Sequence, residues 1–258
     1  MNAWDQRFGG IERLYGKVAS QKIRDAHICV IGIGGVGSWT AEALARTGVG
    51  SITLVDMDDV CVTNVNRQVP AVDGEMGHLK VEAMARRIAL ISPECKVKMQ
   101  PMFFTQSTAE AILDDSYDVI VDAIDRLNAK CLLLSMAKEK GLPIVSTGAA
   151  GGRIDPFKIE TADLSKAHHD RLLAQVRKQL RVDYQFRQNR KFGIPCVFSP
   201  EPALGPWNDE ETCETDVNTK RTGRLGCAEG YGSVTHVTGG FGFAAAALAI
   251  QILTNPVV

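Results

Sequence analysis

Between residues 56 and 80 the chain gathers Asp56, Asp58, Asn64, Asn66, Arg67, Gln68 and Lys80. Donors and acceptors of these types suit a polyphosphate and its metal. Asn64 can bridge ribose and phosphate, and Gln68 adds a further amide. Arg67 and Lys80 can neutralise the charge that develops in phosphoryl or nucleotidyl transfer. Hydride transfer would leave two such cations without a task. Upstream stands the turn Gly32-Ile33-Gly34-Gly35-Val36-Gly37, whose glycines let backbone pass close to a phosphate. Downstream, Asp122 and Asp125 bracket Asp122-Ala123-Ile124-Asp125. A carboxylate there is placed to hold Mg²⁺ beside a triphosphate, and Asp125 is expected to be that ligand. Asp122 is expected either to join the nucleotide site or to cap the helix that follows.

The elements that must position these residues follow from periodicity. Ile28 to Ile33 is a short β-branched run of strand length, Ser38 to Arg46 reads as helix, and Ser51 to Val55 reads as a strand ending in Asp56. This is a βαβ unit with its glycines at the strand-to-helix turn. Asp56 then falls where an acid accepts hydrogen bonds from a ribose. A helix is expected over 77–91, with Leu79, Ala83, Ile88 and Leu90 on its core side, then a strand over 96–99 and a helix over 107–113. Tyr117 to Ala123 reads as the next parallel strand, followed by a helix from Leu127 to Lys140 and a strand from Pro143 to Thr147. The fold class expected is α/β: a Rossmann-like, doubly wound, mostly parallel sheet with a C-terminal extension and a buried C-terminal helix. The whole chain, 1–258, is expected to be one domain: a nucleotide-binding core over 25–155, a basic segment and mobile loop over 160–225, and a C-terminal helix over 233–253.

At 258 residues the chain is long enough for a sizeable core. Its net charge of −1 gives no global pull towards nucleic acid, so any such contact must come from a local patch. Seven cysteines, at 29, 61, 95, 131, 196, 213 and 227, are odd in number and scattered, which suits reduced cytoplasmic thiols. None pair at C-x-x-C spacing, which excludes a four-cysteine zinc ribbon. The N-terminus has no apolar signal core. Val234 to Leu253 is uncharged and long enough to cross a bilayer, but its threonines, glycines, His236 and Gln251 favour a buried helix over membrane association.

Local patches remain. Residues 3–24 read as a polar arm and short helix, with Arg7 and Arg13 as unpaired bases near a nucleotide fold. The glycines of 148–152 allow close approach of a ligand or ion. In 166–191, Arg171, Arg177, Lys178 and Arg181 lead a basic run that alternates with Tyr184 and Phe186, as needed to track a phosphate backbone and stack a base. A charged surface helix is the plain alternative. Residues 199–224 read as an exposed, mobile loop, and Cys227 sits among glycines as either a reactive or a merely packed thiol.

Taken in order, the glycine turn Gly32 to Ser38, Asp56 and Asp58, the N-x-N-R-Q of Asn64 to Gln68, Lys80, and Asp122 to Asp125 resemble the ThiF/MoeB adenylating superfamily. Within it, RFGGIERLYG, DMDDVCVTNVNRQ, STGAAGGRIDP, the CVFS of Cys196 to Ser199 and GCAEGYGSVTHVTGGFGF resemble the tRNA threonylcarbamoyladenosine dehydratases over nearly the whole chain. Arg126 departs from the asparagine common at that position. The resemblance implies ATP rather than NAD, with ribose at Asp56, phosphates at Asn64, Arg67 and Lys80, and Mg²⁺ at Asp125. It implies a homodimer in which an N-terminal arginine such as Arg13 reaches a phosphate, a tRNA substrate, and adenylation of a carboxylate followed by ring closure with net loss of water. A monovalent cation at 148–152 and a cysteine desulfurase or sulfur-acceptor partner are further expectations.

Three other readings compete. A sulfur-carrier activator would adenylate the C-terminal glycine of a small protein and relay sulfur through a cysteine such as Cys227. A dinucleotide-dependent dehydrogenase would accept Asp56 but leave the Asn64–Lys80 cluster idle. A non-catalytic tRNA-binding protein would hold ATP without ever releasing pyrophosphate.

Overall fold

The computed structural model describes residues 3–113, 116–205 and 231–254. Cys213, Cys227, its neighbours Gly226 and Gly230, and most of the loop expected to be mobile lie outside these residues. Helices α1 (Ala3–Tyr15) and α2 (Lys17–Asp25) lead into strand β1 (His27–Ile31), helix α3 (Gly35–Arg46) and strand β2 (Ser51–Val55). There follow α4 (Lys80–Ile91), β3 (Lys96–Gln100), α5 (Ala109–Ile112), β4 (Val119–Asp122), α6 (Leu127–Glu139) and β5 (Ile144–Thr147). After these come β6 (Glu160–Asp163), α7 (Arg171–Asp183), β7 (Pro195–Phe198) and α8 (Thr235–Thr254).

The strands form one seven-stranded sheet in the order β3-β2-β1-β4-β5-β7-β6. All pairs are parallel except β6 with β7. The doubly wound expectation is therefore met, and the antiparallel β6 edge is what the sequence reading lacked. Side chains along β1 divide by alternation. Ile28 and Val30 join Leu44, Met84, Phe241 and Ala245 on one face. Cys29 and Ile31 join Leu133, Leu134, Val176 and Leu180 on the other. The winding direction reverses between β1 and β4, and ligands of open α/β sheets bind beyond the strand ends at such a point.

Three local expectations need correction. The N-terminal arm is two helices with an apolar anchor: Trp4 and Phe8 are buried, Trp4 Nε1 donates to Gly48 O at 3.0 Å, and a Cβ on Gly48 would lie 2.9 Å from the Phe8 ring. Helix α4 begins at Lys80 rather than Gly77, because Gly77 has φ +82° and stands in a turn outside the helix. Leu90 is 85% exposed, while Val81 and Met84 supply the core contacts instead. Two residues beyond Ile88, Leu90 lies roughly 200° round the helix axis.

Helix α8 is long and apolar enough to cross a membrane, but half of its most apolar window is buried inside the domain. Its Gly242 packs on α3 so closely that a Cβ would lie 2.6 Å from Trp39 Cβ and 2.8 Å from Val36 O. Thr40 Oγ1 donates to Gly242 O at 3.2 Å. Core burial accounts for one half of that apolar window, and Phe243 on the helix stays exposed.

Candidate active site

A cavity of about 1170 Å³ opens at the C-terminal ends of β1, β2, β4 and β5, on the switch point. Gly32, Gly34 and Gly35 border it after β1, and Asp56 and Asp58 after β2. Asn64, Arg67, Gln68 and Lys80 border it from the loop that follows, and Asp125 from the turn after β4. Ten of the residues named from the sequence thus face one space.

The glycine turn divides its labour. Gly32 has φ +92°, and a Cβ there would lie 2.8 Å from Ala123 O, so this position needs glycine on both counts. A Cβ on Gly34 would meet nothing within 4 Å, which leaves an open cradle beside the backbone. Gly37 does not border the cavity among the described residues. A Cβ there would sit 1.7 Å from Gly32 O, so its part is to let α3 pack against the turn.

Asp56 is buried at the end of β2. Its Oδ2 accepts the Ile33 N–H at 2.6 Å, and its Oδ1 accepts the Asp58 N–H at 2.8 Å. Burial pushes its carboxyl above the ordinary aspartate value, against the pull of Lys80 and the two N–H groups. Each oxygen retains a lone pair for a ribose hydroxyl. Lys80, also buried, extends its ammonium 2.9 Å from Asp58 Oδ2, while the Asp58 side chain is half exposed. Asp58 therefore holds the lysine in place, leaving it two further donors for phosphate oxygens.

The loop between β2 and α4 is braced from several sides. Asn64 Oδ1 accepts the Cys61 N–H at 3.1 Å. Arg67 Nη1 donates to Thr63 O and Asn66 Oδ1, each at 2.8 Å. Arg67 O accepts Trp39 Nε1 at 3.1 Å and Thr238 Oγ1 at 3.4 Å, so α3 and α8 both set its position. Asn66 binds outward to the start of α8: its Nδ2 donates to Ser233 O at 2.8 Å, and its O accepts Thr235 Oγ1 at 2.6 Å. Gln68 Oε1 is buried with no hydrogen-bond partner among the described residues. Such an atom is costly unless a bound donor satisfies it. A ribose hydroxyl or base amine of a nucleotide can be that donor, while the open cradle at Gly34 and the two cations suit its phosphates, whose oxygens only accept.

Asp122 and Asp125 part company. Asp125 is exposed at the cavity rim. Asp122 is fully buried beneath it and does not border the cavity. Its Oδ2 accepts Lys130 Nζ at 2.6 Å and Ser146 Oγ at 2.7 Å, and its Oδ1 accepts the Ile124 N–H at 3.1 Å. Neither expectation for Asp122, ligand contact or helix cap, describes this: α6 is preceded by Arg126 without a side-chain cap. Lys130 was not legible as a partner, because a lysine four residues into a helix reads as a solvated one. No group of three or more metal-ligating side chains occurs among the described residues. A lone carboxylate fits Mg²⁺, which keeps waters and shares its remaining ligands with phosphates.

Arg13 is exposed on α1, which packs at Gly48 near the N-terminal end of β2, the edge of the sheet opposite its own cavity. In the basic segment, Asp170 caps α7 by accepting the Leu173 N–H at 2.9 Å, and it also holds the glycine loop through Ala149 N at 3.0 Å. Arg171 and Lys178 are exposed, but Arg177 and Arg181 are half-buried, with Arg177 Nη1 and Arg181 Nε lacking partners. Phe186 is buried, its ring centroid 4.9 Å from that of Phe192, so it cannot stack a base. Tyr184 borders the cavity, as do Tyr231, Phe103 and Arg126. Arg126 Cζ lies 4.9 Å from the centre of the Phe103 ring, a contact between the turns after β4 and β3 that sequence spacing does not reveal.

Comparison with known proteins agrees with this fold. The ThiF family matches residues 10–257. The tRNA threonylcarbamoyladenosine dehydratase of Escherichia coli (strain K12) is 46% identical over 252 residues, 97% of this chain and 94% of that protein. That of Haemophilus influenzae is 47% identical over the same shares. The crystal structure of the E. coli tRNA N6-threonylcarbamoyladenosine dehydratase in complex with ATP superposes with a TM-score of 0.87 at 44% identity, over 98% of this chain and 96% of that one.

Proposed function

The chain belongs to the ThiF family, and from that premise we propose that it is an ATP-dependent dehydratase of threonylcarbamoyladenosine in tRNA. The observation that carries this is the convergence of the glycine turn, Arg67, Gln68, Lys80 and Asp125 on one cavity, in a chain similar over its length to dehydratases of that name.

The chemistry follows from the substrate. A carboxylate is a poor electrophile because its oxygen leaves badly. Attack by a carboxylate oxygen on the α-phosphorus of ATP forms an O–P bond, breaks the bond to the bridging oxygen and releases pyrophosphate. An internal nucleophile of the same modified base then attacks the acyl carbon, loses its proton and expels AMP, closing a ring. The oxygen removed from the substrate leaves with AMP, so the net change is loss of one water. Arg67 and Lys80 carry the developing phosphate charge, Asp56 orients the ribose, and Asn64 and Gln68 fix the phosphate chain. Mg²⁺, held by Asp125 and the phosphates, would supply further charge neutralisation.

In this reading the enzyme is a cytoplasmic homodimer. Arg13 faces away from its own cavity, so it would serve the neighbouring protomer's phosphates. Arg171 and Lys178, exposed on α7, would meet the tRNA backbone.

Mass analysis of nucleosides from threonylcarbamoyl-modified tRNA incubated with the protein and Mg-ATP tests the proposal. Loss of one water that requires ATP, and that disappears in Asp125→Ala and Arg67→Ala, is the expected result. Pyrophosphate release only on addition of a small protein with a C-terminal glycine would overturn it in favour of sulfur-carrier activation.

A further inference from the structure

The cavity is larger than one nucleotide needs: small-molecule sites commonly enclose about 300–1,000 Å³, against about 1170 Å³ here. Its two ends also differ in chemistry. The β2–β1 end carries Asp56, Asp58, Arg67 and Lys80. The β5 end is bordered by Leu132, the backbone of Gly148 to Gly151, Tyr184 and Tyr231, with no ionisable group other than the two phenols. Along the sheet edge the order is β2, β1, β4, β5, so Asp125 stands between the two ends.

We infer that the β5 end is a subsite for an unstacked RNA base, which stacks on Tyr184. The inference rests on the proposed function and adds where the acceptor binds. Aromatic side chains hold the bases of single-stranded RNA by stacking, because every base offers a π-face. Tyr184 follows α7 directly and borders the cavity, where Leu132 from α6 adjoins it.

Tyr184 is half-buried, so its ring is already held in place before a base arrives. Tyr231 walls the other side of the loop: a Cβ on Gly151 would lie 3.2 Å from Tyr231 Cβ, and Gly152 N donates to Gly232 O at 2.7 Å, which pins the tyrosine's segment to the glycine loop. From β5 to β1 is two strand spacings, about 10 Å. An arm ending in a carboxylate can cross that distance from a stacked base to the nucleotide phosphates.

The test uses the full-length protein, a fluorescent anticodon stem-loop carrying the modification, and anisotropy titration beside ATP titration. Tyr184→Ala should weaken RNA binding by about 5- to 150-fold, the range of one lost stacking contact, and leave ATP binding unchanged. Tyr184→Phe should restore it, because stacking needs the ring and not the hydroxyl. Unchanged RNA affinity in Tyr184→Ala, or failure of the phenylalanine variant to rescue a folded protein, would overturn the subsite. Nucleoside conversion by the unmodified enzyme is scored separately. Its absence, with RNA binding still dependent on Tyr184, would sink the dehydratase reading and keep the base site.

Discussion

Lys130 Nζ lies 2.6 Å from Asp122 Oδ2, and both side chains are fully buried beneath the turn that carries Asp125. Ser146 Oγ from β5 donates to the same oxygen at 2.7 Å, and Thr147 Oγ1 donates to Asp122 O at 3.1 Å. The pair therefore ties β4, α6 and β5 together directly under the site. Lys130→Met would leave the aspartate charge buried without its partner, at a cost of about 3–5 kcal/mol. Urea unfolding should show this loss, and a Lys130→Met/Asp122→Leu double variant should recover much of it. A single variant as stable as the parent would show that the pair does not brace the turn.

Asp125 should behave in the opposite way. It is exposed at the rim, so Asp125→Asn is expected to keep its unfolding free energy within the small range typical of surface changes, about ±0.5 kcal/mol. Turnover at saturating ATP should nevertheless fall at least ~100-fold, with partial recovery at raised Mg²⁺. Equal loss of stability and turnover would contradict a direct role.

Lys80 is held in place by Asp58 before any phosphate arrives. Lys80→Met should lower kcat by ~10²–10³, the usual effect of removing one charge-stabilising donor. Asp58→Asn keeps the cation but frees it, so rate should fall less than in Lys80→Met. Single-turnover measurement of pyrophosphate release separates the two.

Glu42 links α3 to α4. Its Oε1 accepts Arg46 Nε at 2.8 Å and Arg87 Nη2 at 3.0 Å, and its Oε2 accepts Arg87 Nε at 3.0 Å. Burial pushes this carboxyl up, but the hydrogen bonds and charges of Arg87 and Arg46 outweigh burial and leave it below the ordinary value of 4.5. A depressed acid contributes stability that is complete above its unfolded pKa and is lost as pH falls through the folded one. Glu42→Gln should thus cost about 1–3 kcal/mol at neutral pH and flatten the acid limb below pH 4.5. Parallel stability curves for parent and variant between neutral pH and pH 3 would contradict this.

Thiol reactivity should separate the cysteines sharply. The exposed Cys61 thiol is drawn down by its contact with the Thr63 hydroxyl, whose Oγ1 lies 3.2 Å from Sγ. Burial pushes Cys95 and Cys131 to about 11 and Cys196 to about 12. Brief iodoacetamide treatment of the native protein, followed by peptide mapping, should label Cys61 before those three. Equal labelling would mean that the native fold does not shield the other thiols.

Much of the site was legible because its parts are close in sequence. The glycine turn, Asp56, the Asn64–Gln68 run and Lys80 all lie within one strand–helix–strand unit and its outgoing loop, so spacing alone brings them to one strand edge. Asp122 was not legible. Its role depends on Lys130 from a helix and Ser146 from another strand, and no local rule joins those segments. Phe186 misled for a similar reason: beside arginines it reads as exposed, yet long-range packing on Phe192 takes it inside. The edge strand β6 was hidden because its four residues, Glu160 to Asp163, show no apolar alternation of their own.

The contact between Thr40 and Gly242 spans 202 residues of chain. Helix α3 and the apolar side of β1 share one core cluster with α8, so the cover of the first βαβ unit is supplied in part from far along the chain. Loss of α8 would therefore open part of the cluster that holds Leu44 and Val30 to water. Closure of so long a loop makes folding slow and late. The phosphate-binding turn is thus no self-sufficient local motif: the helix it opens is completed by one that lies two hundred residues away in sequence.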